Sequence, residues 1–233
     1  MRELRPGLWY WEAPHPDWQP TEPWSENVSS YAIDDGERLL LFDPLALPTE
    51  LADCAADRET AIVLTAPWHE RDARGLVERL GVPVYTPLPD TAEDLMRTYG
   101  ITAEQAGDGS PDVRWLLDGE AGEARWYSAG DRLPVGVHAF AGQKHNDLVL
   151  WIESHRAVVA GDTLVDFGEG LQINPRWLPA GVTQEQVVDG LRPLLTLPVE
   201  HVLRDSWGPD RPGRPRAGAV PLTPLQAPTN PFL

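Results

Sequence analysis

Four apolar residues in a row, Ala61 to Leu64, stop at Thr65, and Leu76, Val77 and Leu80 follow at helical spacing. This pattern predicts a buried strand over 61–67 and an amphipathic helix over 73–81, closed by Gly81. Upstream, residues 7–14 (GLWYWEAP) alternate as a strand does, and residues 27–45 predict two strands folded around Asp35 and Gly36. Residues 51–57 predict a short helix, VPVYTP a further strand and residues 91–100 another helix. In the second half, RWLLDG, EARWYSAG, VGVHAFAG, DLVLWIES and RAVVAGDTL predict strands separated by turns. Residues 183–197 predict a helix with Thr183 as its N-cap, and HVLRDSWG a last short strand and turn. Strands and helices occur in both halves without strict βαβ alternation. That order predicts an α+β protein of mixed sheets with helices outside.

A chain of 233 residues suits one domain, placed at residues 1–208. Beyond it, seven prolines fall between Gly208 and Leu233, with too little patterned apolar content for a second core. Residues 209–233 are therefore expected to form a Pro-rich tail that wraps the domain or stays loose. No short-period repeat is present.

Composition narrows the function. A net charge of −17 argues against nucleic acid and anionic membrane surfaces as partners, since both need a basic footprint. It is compatible with a small-molecule ligand. No apolar run reaches membrane-spanning length, and the opening MRELRPGLWYWE has no apolar core of a secretory signal. The single cysteine, Cys54, excludes an internal disulfide and a cysteine-built metal site, so a cytoplasmic location is expected. Of 19 basic residues, Lys144 is the one lysine. Four of the ten tryptophans (Trp9, Trp11, Trp18 and Trp24) open the chain, either as core cover or as the lip of a pocket.

The candidate chemistry lies in LTAPWHERD, residues 64–72, where a strand gives way to a turn holding His69, Glu70, Arg71 and Asp72. In order and spacing, NVSSYAIDDGERLLLFDPL, this turn, VHAFAG with DLVLWI, HRAVVAGDTL and HVLRDSWG together resemble the metallo-β-lactamase fold superfamily over roughly residues 7–208. The hairpin ending in FDP and the GDTL element are its most specific parts. The resemblance implies a four-layer αβ/βα sandwich, and for most members one or two zinc or iron ions that activate water for hydrolysis. It also implies a His-x-His-x-Asp-His turn, whose two imidazoles hold one ion while the Asp and last His hold a second.

In that register this chain places Ala66, Trp68, Glu70 and Arg71 at the four ligand positions, with His69 between them. Gln143 stands for a third histidine, and Ser206 or Trp207 for a final one. Asp162 alone matches well. Alanine and tryptophan lend no lone pair to zinc, and arginine brings a fixed positive charge. The expectation is a metal-free binding protein or pseudo-hydrolase with no cofactor. The alternative is a hydrolase with one zinc or iron ion in a rebuilt site drawn from His69, His145, Asp147 and Asp162.

His69, Glu70, Arg71, Asp72 and Asp162 are the candidates for chemistry, and Arg71, or else Lys144 or Arg204, is expected to neutralise Asp162 in place of an ion. His15, Trp18, Trp24, Trp68, Lys144, His145 and Trp207 are candidates for holding a ligand. Each has an ordinary alternative as an exposed loop residue, a cap or sheet cover. Asp43, after the hairpin, is expected to be structural.

Overall fold

Alternation sorts almost every strand residue onto one of two faces, and both faces are covered. The computed structural model describes residues 1–166, 170–204 and 219–221. Its first sheet has seven strands in chain order: β1 (Arg2–Arg5), β2 (Leu8–Pro14), β3 (Asn27–Asp34), β4 (Arg38–Phe42), β5 (Glu59–Val63), β6 (Val84–Thr86) and β7 (Ala124–Trp126). The strands β1 to β4 pair antiparallel and β4 to β7 parallel. Parallel neighbours need crossovers, and helices α1 (Thr49–Asp57) and α2 (Ala73–Leu80) supply them. The last crossover carries α3 (Ala92–Tyr99), α4 (Ala103–Ala106) and α5 (Arg114–Leu117).

The second sheet runs in the order β13-β12-β11-β10-β9-β8, with β8 (Arg132–Leu133), β9 (Val137–Ala141), β10 (Leu148–Ile152), β11 (Ala157–Val159), β12 (His201–Leu203) and β13 (Ala219–Pro221). Its one parallel pair is β11 with β12, which α6 (Gln184–Leu191) connects. The edge strand β13 comes from the Pro-rich tail and pairs antiparallel with β12.

Three apolar clusters define four layers. Between the sheets, Leu8, Tyr31, Ile33, Leu40, Phe42 and Val63 pack against Val137, Leu148, Leu150, Ile152, Val159 and Leu203. Outside the first sheet, Ala32, Leu39, Leu41, Ile62 and Leu64 meet Leu51 of α1 and Leu76 and Val77 of α2. Outside the second, Val149, Trp151 and Val158 meet Leu191, Leu194 and Leu197. A strand covered on both faces has no polar side, which is why RLLLF and LVLWI read as continuous apolar runs.

Two sequence expectations change in detail. RWLLDG forms the one-turn helix α5 rather than a strand, burying the adjacent Trp115 and Leu116 on the first sheet's outer face. So short an apolar run fits either period. The strand expected over 61–67 ends at Val63, and a 3-10 turn spans Pro67–His69.

Candidate functional site

The carboxyl ends of β4 and β5 meet the β9–β10 turn and the turn after β11 at one end of the sandwich. The two sheets are tied there by the Leu148 N–H, which donates to the Thr65 carbonyl (2.9 Å). Asp43, just past β4, takes the left-handed conformation at φ 43°, which aspartate tolerates better than most residues. Its carboxylate accepts the Thr65 backbone N–H at 2.8 Å and the Thr65 hydroxyl at 2.7 Å. His69 Nδ1 lies 2.8 Å from Thr65 Oγ1 and 3.2 Å from Asp43 Oδ2. Because the Thr65 hydroxyl hydrogen is committed to Asp43, Nδ1 is assigned as protonated, facing two acceptors. On the other ring edge, Nε2 lies 3.5 Å from Asp162 Oδ1. His69 thus sits between two carboxylates and is 5% exposed.

Asp162 receives a second donor from Trp68, whose indole Nε1–H reaches Oδ2 at 2.9 Å. Lys144 Nζ lies 4.1 Å from the Trp68 ring centroid and 5.8 Å from that of Tyr99. Burial pulls the Asp162 pKa up, but His69, the Trp68 N–H and the Lys144 charge outweigh it and hold it down at about 2. The neighbouring Asp147 goes the other way. Burial and the Asp162 charge push it up to about 7, against the Thr163 hydrogen bond and the charges of His69 and Lys144. Asp147 Oδ2 accepts the Thr163 hydroxyl at 2.7 Å, while Oδ1 is buried without a hydrogen-bond partner.

Two glycines allow this crowding. A Cβ on Gly142 would lie 2.2 Å from Thr163 Oγ1 and 2.3 Å from the Asp147 carbonyl. A Cβ on Gly161 would come within 2.9 Å of Asp147 Oδ1.

The other candidates divide. Glu70 turns away, accepting the Val113 N–H at the start of α5 (2.7 Å). Asp72 is exposed and accepts the Ala46 N–H (2.6 Å). Arg71, at φ 44°, directs Nη1 to the carbonyls of Ser29 (2.8 Å) and Asp43 (2.6 Å). The Asp162 carboxylate therefore meets the Trp68 N–H, the His69 ring edge at 3.5 Å and the more distant Lys144 charge rather than Arg71, while Arg204 donates to Asp166 (2.7 Å). His145 stands apart from His69 and Asp162, with Nε2 3.5 Å from Asp90 Oδ1. Among the described residues one set of three metal-competent groups converges: Asp90, Asp94 and His145, whose ligand atoms all lie within 4.8 Å of one another. Asp94 there already serves Thr91 in the α3 capping box and pairs with Arg97. Trp207, with Ser206, lies outside the described residues.

A cavity of about 580 Å³ opens beside Asp162 and His69. His15 and Trp24, edge to face with centroids 5.3 Å apart, form one wall, and Trp68, Tyr99, Lys144 and Arg71 form others. Trp18 braces this wall from behind by donating to the Trp24 carbonyl (2.9 Å). The loop before α6 closes the cavity with Arg176 and Trp177.

No protein-family model and no curated protein matches the sequence. Solved structures do match. A metallo-β-lactamase family protein of Thermus thermophilus, TTHA1429, superposes with a TM-score of 0.56 at 20% identity, over 88% of this chain and 75% of that one. TTHA1623, solved in a di-iron-bound form, superposes at 0.52 with 23% identity, over 88% and 95%. A metallo-β-lactamase from Erythrobacter litoralis superposes at 0.56 with 9% identity, over 89% and 88%. The chain has the metallo-β-lactamase fold. At these identities the likeness is one of architecture.

Within the metallo-β-lactamase fold the turn after β5 and the turn after β11 are where the resemblance puts the ions. The side chains now in those places can be tested as donors. Ala66 and Trp68 offer no lone pair, Arg71 donates to carbonyls, and Glu70 is bonded to α5. Asp162 remains, and the Trp68 indole N–H is bonded to one of its oxygens. This donor set does not fit a dinuclear ion pair.

Sequence reasoning treated Asp43 as structural and did not single out Thr65, Arg176 or Tyr99. For Thr65, a hydroxyl ending a buried run was a signal. Arg176 lies in a loop without periodicity, where nothing marked it.

Proposed function

We propose that the chain is a metal-free binding protein, a pseudo-hydrolase on the metallo-β-lactamase fold, which holds a small molecule in the cavity over Trp68 and Asp162. The observation that carries this reading is the Trp68 indole N–H on Asp162 at 2.9 Å. A neutral donor and the His69 ring satisfy the carboxylate that would otherwise serve an ion. No helix among the described residues is long and apolar enough to cross a membrane, and the single cysteine favours the cytoplasm.

Metal content tests it. Protein purified without tag or chelator, then offered zinc, iron and manganese and desalted, is expected to retain well under 0.1 ion per chain with no gain in melting temperature. About one retained ion per chain that Asp162→Asn releases would overturn the reading.

One observation favours a second reading, a hydrolase with a rebuilt mononuclear site. The Asp90, Asp94 and His145 ligand atoms lie within 4.8 Å of one another, and Asp90 and His145 line a second cavity. An imidazole with two carboxylates suits a single divalent ion. In that case the retained ion would be lost in His145→Ala and kept in Asp162→Asn.

A further inference from the structure

The charge balance of the cavity differs from that of the molecule. The protein carries −17 overall, yet the cavity gathers Lys144, Arg71 and Arg176 against two carboxylates, Asp162 and Glu22. Both carboxylates are already supplied with donors. Asp162 accepts the Trp68 indole N–H at 2.9 Å with the His69 ring 3.5 Å away, and Glu22 accepts the Trp24 indole N–H at 3.1 Å. Arg71 is held by the Ser29 and Asp43 carbonyls, and the other two cations, Lys144 and Arg176, are not matched by a carboxylate among the described residues. Among the described residues no carboxylate forms a salt bridge with Lys144, whose charge reaches Asp162 and Asp147 only at longer range and whose ammonium rests over the Trp68 and Tyr99 rings. None pairs with the Arg176 guanidinium either. In so acidic a protein a basic side chain readily finds a carboxylate, and Arg5, Arg74, Arg97, Arg125 and Arg156 each do.

The walls between these cations are flat and apolar. Trp24, Trp68, Tyr99 and Trp177 present rings, and Leu178 an aliphatic surface. Rings recognise a planar body by stacking, and an ammonium beside them recognises a negative group at its rim.

We infer that the cavity binds a small organic anion, a planar apolar body bearing one carboxylate, sulfonate or phosphate, with Lys144 and Arg176 on the anionic group and Trp68 under the ring. The inference rests on the proposal that the cavity holds a small molecule, and it adds the chemical class. Lys144 lies on the turn that follows β9 and Arg176 on the loop before α6, so one ligand bridges two segments that β9 and α6 otherwise anchor.

The test uses 2-naphthoate, its neutral isostere 2-naphthamide, 2-naphthyl phosphate and inorganic phosphate, titrated calorimetrically against the full chain. Naphthoate or naphthyl phosphate is expected to bind at least 10-fold more tightly than the amide, and the preferred one of the two identifies the anionic group. Lys144→Met and Arg176→Gln are each expected to weaken the preferred anion 5-fold or more while leaving the amide's affinity unchanged. Inorganic phosphate alone is expected to bind at least 10-fold more weakly than the preferred anion.

Equal affinity for the anions and the amide would overturn the inference while leaving a binding cavity intact. Phosphate binding as tightly as the aromatic anions would overturn the role of the rings. No binding of any aromatic probe up to millimolar concentration would overturn the ligand class. The metal-content measurement judges the metal-free reading separately. If one variant fails to fold, the other still reports on the anion.

Discussion

Asp147 and Asp162 are neighbouring carboxylates pushed in opposite directions, and each has its own consequence for stability. Asp147 has its folded pKa raised to about 7, so the stability it contributes is present below the ordinary carboxylate range and is lost as pH rises through 7. Asp162 is depressed to about 2, so its contribution is present above the ordinary range and is lost as pH falls toward 2. Asp147→Asn removes the first dependence. Between pH 4 and 7 its unfolding free energy is expected to rise relative to the parent by a few kcal/mol, since each pKa unit is worth about 1.4 kcal/mol. A constant difference across that window in urea titrations would refute the assignment. Asp43 is expected to be the costlier position. Asp43→Ala strips three donor groups of their acceptor and should cost ~3–5 kcal/mol in the same assay. The sequence made Asp162 and His69 legible because each lies in a local motif. The structural role of Asp43 was expected, but its partners, Thr65 and His69, were hidden because they belong to a different strand and turn.

Among the elements, polar punctuation was the most readable signal. Thr183 caps α6 with a full capping box, its hydroxyl accepting the Gln186 N–H (3.2 Å) and the Gln186 side chain answering at the Thr183 N–H (2.8 Å). Gly81 closes α2 at φ 66°. Thr183→Ala is expected to lower stability by ~1 kcal/mol, read as a shift in the urea midpoint. The turn joining β9 and β10 tolerates less. Gly142→Ala places a methyl on Thr163 Oγ1 and on the Asp147 carbonyl, so a loss of ~2–4 kcal/mol is expected. A neutral outcome there would mean that the turn packs more loosely than described. The elements the sequence missed were those with too few residues to show a period. These are α5, read as a strand, the four-residue α4, and the two-residue β8, whose pairing is decided by β9 beside it. Nothing in the first four residues distinguished β1 from a loose terminus.

Across the whole molecule, the two sheets and their outer helices followed from alternating and doubly apolar strands, and the order of the motifs pointed to the metallo-β-lactamase fold. What the order could not supply was the partner of Asp162. A ligand pattern read along the chain reports which donors are missing. It does not report that the substituted residue turns its N–H onto the surviving carboxylate. The direct measurement is therefore the indole N–H resonance of Trp68, assigned among the ten tryptophans by its loss in Trp68→Phe. With Asp162 as its acceptor, this proton is expected downfield, slow to exchange with solvent, and unmoved by one equivalent of zinc or iron. A resonance that exchanges freely would contradict the Trp68–Asp162 bond, and one that shifts or disappears on adding one equivalent of either metal would show that an ion takes Asp162 and would contradict the proposed metal-free centre.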